Sequence, residues 1–326
     1  MKKLTGSARL KQDLDHQVWK LIKKFDLQDK KILVALSGGA DSVATLAVLA
    51  KVMKHENLGA CYFHHGDDKN QEYRKEAQLF CEKLCRKLNV EFFVLKSRSL
   101  AKSEAQYREQ RYEALARLQK EEGFEVLATG HHADDLLETR LMRIVRGTGA
   151  QGLVAMSYYS GGVFRPFLET PKAELRKYLR SEKLRAFEDP SNALLDPFRN
   201  WVREDWLKSL EKRQKGAVNS LARSLETLAQ ELHSLENKPG TDLLSQNEAY
   251  KPQDVKGLSR AFYLTLSPFE QRRLLAQYLF SLGKRDFSQS QLEEIQKRLD
   301  KPQKVISFKV SGCDWEINAQ QIKVES

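Results

Sequence analysis

Six residues between two apolar runs, Ser37, Gly38, Gly39, Ala40, Asp41 and Ser42, bring together two hydroxyls, two glycines and an acid. Gly38 and Gly39 accept backbone angles closed to other residues, so successive N–H groups can turn outward at a helix start. Such a turn holds an anion, and the hydroxyls of Ser37 and Ser42 add donors. An acid in an anion nest is unfavourable unless a cation comes with the anion. A Mg²⁺ bridging Asp41 and phosphate oxygens resolves that conflict. Asp41 also suits the first turn of a helix with no ligand present. Neither the GxxxxGK[ST] nor the GxGxxG phosphate pattern occurs.

A second cluster runs from Gly130 through His131, His132, Asp134 and Asp135 to Glu138. Read as a helix start, Asp135 and Glu138 stand at i, i+3, and Asp134 and Glu138 at i, i+4, so the acids share a face. They complement a helix dipole, or they hold a cationic co-substrate. Leu137, Leu141, Ile144 and Val145 are the expected core stripe of that helix. The paired histidines have no nearby cysteine to complete a tetrahedral metal set.

The elements that must position both clusters alternate. KILVAL (31–36), LGACYFH (58–64), VEFFVL (90–95) and FEVLAT (124–129) are apolar runs of strand length, separated by helical patterns. That order predicts an α/β fold: a doubly wound parallel sheet covered on both faces, with ligands at the carboxyl ends of its strands. Both clusters fall at such ends. After residue 150 the texture changes. Residues 215–236 read as a long amphipathic helix, about 237–256 as a linker, and SPFEQRRLLAQYLFSLG and SQSQLEEIQKRLD as two helices. The tail alternates apolar and polar residues like a small antiparallel sheet. The expectation is a catalytic domain over 1–205 and a smaller, mostly helical domain over 206–326 that ends in a short sheet.

Fifty-five basic residues against 44 acidic ones give a net charge of +11, which favours a polyanionic partner, nucleic acid ahead of membrane. Cys61, Cys81, Cys85 and Cys313 are too few and too scattered for a disulfide framework, and Cys81 and Cys85 at i, i+4 suit a helix core. No secretion signal or membrane-length apolar run is evident. The expected setting is cytoplasmic, with no membrane partner.

The motif SGGADS resembles the PP-loop of ATP pyrophosphatases, which split ATP between its α- and β-phosphates and adenylylate a substrate. With GHHADDLLET and RGTGAQGL, the chain resembles the tRNA(Ile)-lysidine synthetase family. SEAQYREQRYEAL, FRPFLETPKAELRKYL and EDPSNALLDPFRNWVRE fit it as well, in family order over about residues 30–205. The resemblance implies ATP and Mg²⁺ at Ser37 to Ser42, with Asp41 as the metal ligand. It implies free L-lysine at Asp134, Asp135 and Glu138, and catalytic roles for Asp41, Arg108, Arg111, His131, His132 and Asp135. Its tRNA, bearing a CAU anticodon, would meet Arg143, Arg146, Arg199, Asn200 and Arg203 and the basic second domain; a homodimer stays open. The chain resembles the shorter form of the family. One departure is FHHGDDKNQEYR, where Asp67 and Asp68 stand in place of the family's Leu-Arg; Arg74 is the candidate substitute. Two rivals are a PP-loop tRNA thiolase, which wants CxxC pairs this chain lacks, and an ATP-binding sensor without catalysis.

Overall fold

The computed structural model describes residues 6–64, 71–97, 104–148, 150–187, 197–236, 257–284, 287–299, 306–310 and 312–325. Asp67, Asp68, Asp189, Ser191, Asn192, the 237–256 linker and the Arg108 side chain lie outside the described parts.

The chain opens with α1 (Gly6–Lys24), whose Leu14, Val18, Leu21 and Ile22 form a buried stripe at helical spacing. Sequence reading had placed no element there. β1 (Ile32–Ala35) and α2 (Ala40–Val52) follow, and every residue of α2 from Ser42 to Ala50 is buried. A helix this apolar on all sides must be covered on all sides; α1 and the later helix α7 pack against it over the sheet. Then come β2 (Leu58–His64), α3 (Gln71–Leu88), β3 (Glu91–Lys96), α4 (Glu104–Glu122), β4 (Val126–Ala128), α5 (Ala133–Val145) and α6 (Ala150–Val154). The hairpin β5 (Tyr159–Ser160) and β6 (Val163–Phe164), α7 (Lys172–Ser181) and α8 (Pro197–Trp201) complete the first half.

The six strands form one sheet in the order β3-β2-β1-β4-β6-β5, parallel except for β5. Chain order reverses between β1 and β4, and a doubly wound sheet opens a crevice at the carboxyl ends of strands at that reversal. The predicted parallel α/β fold is therefore the observed one. Cys81 and Cys85 are fully buried on α3, as their spacing suggests.

The chain divides into two compact units, Met1–Glu138 with Met156–Asp205, and Thr139–Ala155 with Trp206–Ser326. The sequence suggests one cut near 205; packing also assigns 139–155 to the second unit. The reason is visible there. α6 lies against α10 (Ala217–Glu236), and buried Arg140 donates to Glu226 at 2.7 Å and to the Leu153 carbonyl at 2.8 Å. The expected core stripe of α5 also shifts. Leu137 and Leu141 are buried as expected, but Ile144 and Val145 are exposed and Leu136 and Met142 are buried in their place.

In the second unit a π-helical stretch (Val202–Leu207, which begins in the first unit) leads to α9 (Lys208–Arg213) and α10. β7 (Leu258–Ser259), α11 (Arg260–Thr265), α12 (Pro268–Ser281), α13 (Gln289–Leu299) and β8 (Ile306–Val310), β9 (Cys313–Ile317) and β10 (Gln321–Glu325) follow. Ser267 and Glu270 make a reciprocal capping box at the start of α12, with Pro268 in the first turn. The four strands form an antiparallel sheet, β7-β10-β9-β8, over a core containing Trp315, Tyr263 and Tyr278.

Candidate active site

The SGGADS loop leaves the end of β1 and enters α2. Gly38 has φ +89°, a left-handed conformation that side chains resist, and an added Cβ would lie 3.3 Å from the Cys81 sulfur. The serines first shape the loop itself. Ser37 N–H donates to Ser42 Oγ at 3.2 Å, Ser42 Oγ–H donates to the Gly39 carbonyl at 3.0 Å, and Gly39 N–H donates to Ser37 Oγ at 3.3 Å. The Phe187 N–H donates to the Gly38 carbonyl at 2.8 Å and ties the loop to the chain after α7.

One strand over, the chain that leaves β4 passes through Gly130. A Cβ there would stand 2.7 Å from the Asp41 carbonyl carbon and 2.9 Å from the Ser42 nitrogen. Only glycine lets the two clusters of the sequence touch. The contact delivers His132, 2% exposed, into the middle of three acids. Its Nε2 lies 3.3 Å from Asp135 Oδ2 and 3.6 Å from Asp41 Oδ2, and its Nδ1 lies 3.3 Å from Asp134 Oδ2. The His132 backbone N–H also donates to Asp135 Oδ2, at 3.1 Å.

Burial pulls the imidazole pKa down, but Asp134, Asp41 and Asp135 outweigh it and push it up to about 9. The three acids thus favour the imidazolium form of His132. Burial raises the Asp41 and Asp134 carboxyls, and the nearby His132 and Lys172 more than reverse this, leaving both below their ordinary value. Lys172 contributes to both, with Nζ 3.5 Å from Asp41 Oδ2 and its backbone N–H donating to Asp134 Oδ2 at 2.9 Å. Sequence reading missed Lys172; its one signal was its place just after Pro171, at the start of α7.

Glu138 is 1% exposed and both its oxygens are taken, by Arg203 Nε at 2.6 Å and Nη2 at 2.8 Å. Arg199 Nε stands 3.6 Å from the same carboxylate, and Arg203 Nη2 3.6 Å from Asp135 Oδ1. The three acids expected to bind lysine differ in their partners within the structure. Glu138 pairs with Arg203, Asp134 with the Lys172 N–H and His132, and Asp135 with the His132 N–H and Arg203. His131 accepts or donates a 2.8 Å bond with Thr129 Oγ1 and is half-buried. Arg143 and Arg146 belong to the second unit, where Arg143 donates to the Gly152 carbonyl at 3.1 Å.

A cleft of about 80 Å³ opens beside the loop, lined by Ser37, Leu36, Tyr62, Arg74, Arg111 and Leu115 among others. Arg74, the candidate replacement for the missing family arginine, thus lines the same cleft as Arg111. Asp41 Oδ1 is buried and has no hydrogen-bond partner. Among the described residues no three His, Cys, Asp or Glu side chains are grouped to hold a metal. One orphaned carboxylate oxygen beside an anion-binding turn fits Mg²⁺, which takes one or two carboxylates and completes its shell with phosphates and water.

These features define a class before they define a family. A model of the ATP-binding PP-loop domain matches residues 10–210. The chain is 71% identical over 319 residues to a tRNA(Ile)-lysidine synthase of Bdellovibrio bacteriovorus, covering 98% of this chain and 99% of that one. It is 33% identical to a tRNA(Ile)-lysidine synthase of Histophilus somni, over 88% of this chain and 67% of that one. The chain belongs to the tRNA(Ile)-lysidine synthase family. A U34-tRNA thiolase, NcsA of Methanococcus maripaludis, superposes with a TM-score of 0.56 at 21% identity, over 68% of this chain and 79% of that one, a likeness of fold. All four cysteines here are buried, and burial pushes the thiols of Cys61, Cys81 and Cys85 up to about 12. Unactivated thiols do not suit sulfur delivery.

Proposed function

We propose that the chain is an AMP-forming ligase that converts the wobble cytidine of a CAU-anticodon tRNA(Ile) to lysidine. The observation that carries this reading is the junction of the SGGADS loop with the acid cluster through Gly130 and His132. It brings the glycine-rich turn against carboxylates that would suit an ammonium.

The C2 oxygen of cytidine is a poor leaving group. In the first step it attacks the α-phosphorus of ATP, the bond to the β-phosphate breaks, and pyrophosphate leaves. Loop N–H groups and the hydroxyls of Ser37 and Ser42 would hold phosphate oxygens, and Arg111 and Arg74, lining the cleft, would face charge developing there. Asp41 Oδ1 would hold Mg²⁺, which supplies electrostatic stabilisation of the phosphates when bound. In the second step the ε-amine of free L-lysine attacks C2, and the C2–O bond breaks to release AMP. An amine with a pKa of about 10.4 arrives protonated at neutral pH. Asp135 would bind that ammonium, and the Glu138–Arg203 pair would hold its helix in position. The proton would pass to a nearby carboxylate, to His131 or to His132.

The second unit would hold the tRNA outside its reacting base through its basic surface, and a cytoplasmic enzyme is the matching setting. No helix among the described residues is long and apolar enough to cross a membrane. Incubation with Mg²⁺-ATP, radiolabelled L-lysine and unmodified tRNA(Ile) tests the proposal. Lysine in the RNA with AMP and pyrophosphate supports it. ATP binding without pyrophosphate release would point to a sensor.

A further inference from the structure

Resting on that reading, we propose that Phe198 and Trp201 form a stacking platform for an unpaired base of the anticodon loop. The two rings stack with centroids 5.9 Å apart and planes 16° from parallel. They stand at i, i+3, on one side of α8, and Trp201 is 48% exposed. The opposite side of the same segment is anchored. Val202 is fully buried, Arg203 holds both Glu138 oxygens, and Arg199 stands 3.6 Å from Glu138 Oε2. The platform is therefore fastened, within the first unit, to the helix that carries Asp135.

Exposing a flat indole costs hydration free energy, and solitary surface tryptophans occur without purpose. A stacked pair pinned by a buried ion pair one turn away is a different case, because its orientation toward the acid-bearing helix is held constant. Proteins that read single-stranded RNA splay bases onto such rings, since every base offers a π-face. Presenting the wobble cytidine to the site requires the loop to unstack, and a displaced neighbour of that cytidine needs a surface to rest on. An aromatic pair continuous with the catalytic cluster supplies it.

The test uses the full chain and an RNA hairpin carrying the anticodon loop, with 2-aminopurine at unpaired positions flanking the cytidine. Binding should quench the 2-aminopurine, and Trp201→Ala should weaken hairpin affinity roughly 5- to 150-fold and abolish the quench. Trp201→Phe, which keeps a flat ring, should restore most of both. Unchanged affinity and quench in Trp201→Ala would overturn the proposal. So would equal damage by both substitutions together with loss of ATP affinity and thermal stability, since that marks a packing role. Failure of the unaltered chain to put lysine into any tRNA would instead overturn the function beneath the proposal, and is read in the same assay series.

Discussion

Arg203 reaches 65 residues back along the chain to grip both oxygens of Glu138, at 2.6 and 2.8 Å, and Glu138 is 1% exposed. Glu138 draws the arginine's pKa further up, so Arg203 stays charged at any ordinary pH. Deleting one member of a buried pair strands the other. Arg203→Ala should cost about 2–4 kcal/mol, less than the fully buried extreme because Arg203 is one-third exposed. Denaturant unfolding measures it. Replacing both residues by apolar ones of similar size should recover part of the loss.

His132 gives the fold a pH dependence with a definite sign. Its pKa rises from an ordinary 6.5 to about 9, so the stabilisation is complete below about pH 6.5 and is lost as pH climbs through 9. Thermal unfolding should show a falling Tm across that window, and His132→Gln should flatten it. An unchanged slope in the variant would place the titrating group elsewhere. On the acid side Asp41 and Asp134, both lowered, hold their contribution above the usual carboxylate range and lose it only as pH falls through their depressed values.

Gly130→Ala should be far more damaging than an alanine in a helix turn deserves. Its Cβ would press on Asp41 and Ser42 backbone at 2.7–2.9 Å, and backbone there has little room to yield. The expected result is a tenfold or greater loss of ATP affinity, read by calorimetry, with the sheet intact by circular dichroism.

Asp41→Asn keeps the shape of the side chain and removes its charge. Pyrophosphate release should fall about a hundredfold or more, and the Mg²⁺ concentration needed for half-maximal rate should rise. Chelation with EDTA should stop release in the unaltered protein.

Asp135→Ala should abolish lysine transfer and spare adenylylation, so pyrophosphate continues to form. A lysine KM equal to that of the unaltered protein would contradict the placement of the ammonium at Asp135.

What was legible in the sequence was whatever local order encodes. β1 to β4 read as apolar runs, SGGADS sat between a strand and a helix, and SPFEQRRLLAQYLFSLG read as a helix with Ser267 at its start. The site's internal pairings were not legible. His132 to Asp41 spans 91 residues, and Arg203 to Glu138 spans 65, so no local pattern couples them. The need for glycine at position 130 was not legible either, because its reason is the backbone of another strand's loop. Ile144 and Val145 misled by hydropathy, since the stripe that packs is set by neighbours of α5 rather than by its composition.

The central claim is that the C2 oxygen of the wobble cytidine is adenylylated and then leaves with AMP. A tRNA(Ile) carrying ¹⁸O at that single position tests it, with the released AMP weighed by mass spectrometry. The account predicts that the label appears in the phosphate of AMP, one atom for each lysine incorporated. Unlabelled AMP alongside lysidine formation would contradict it.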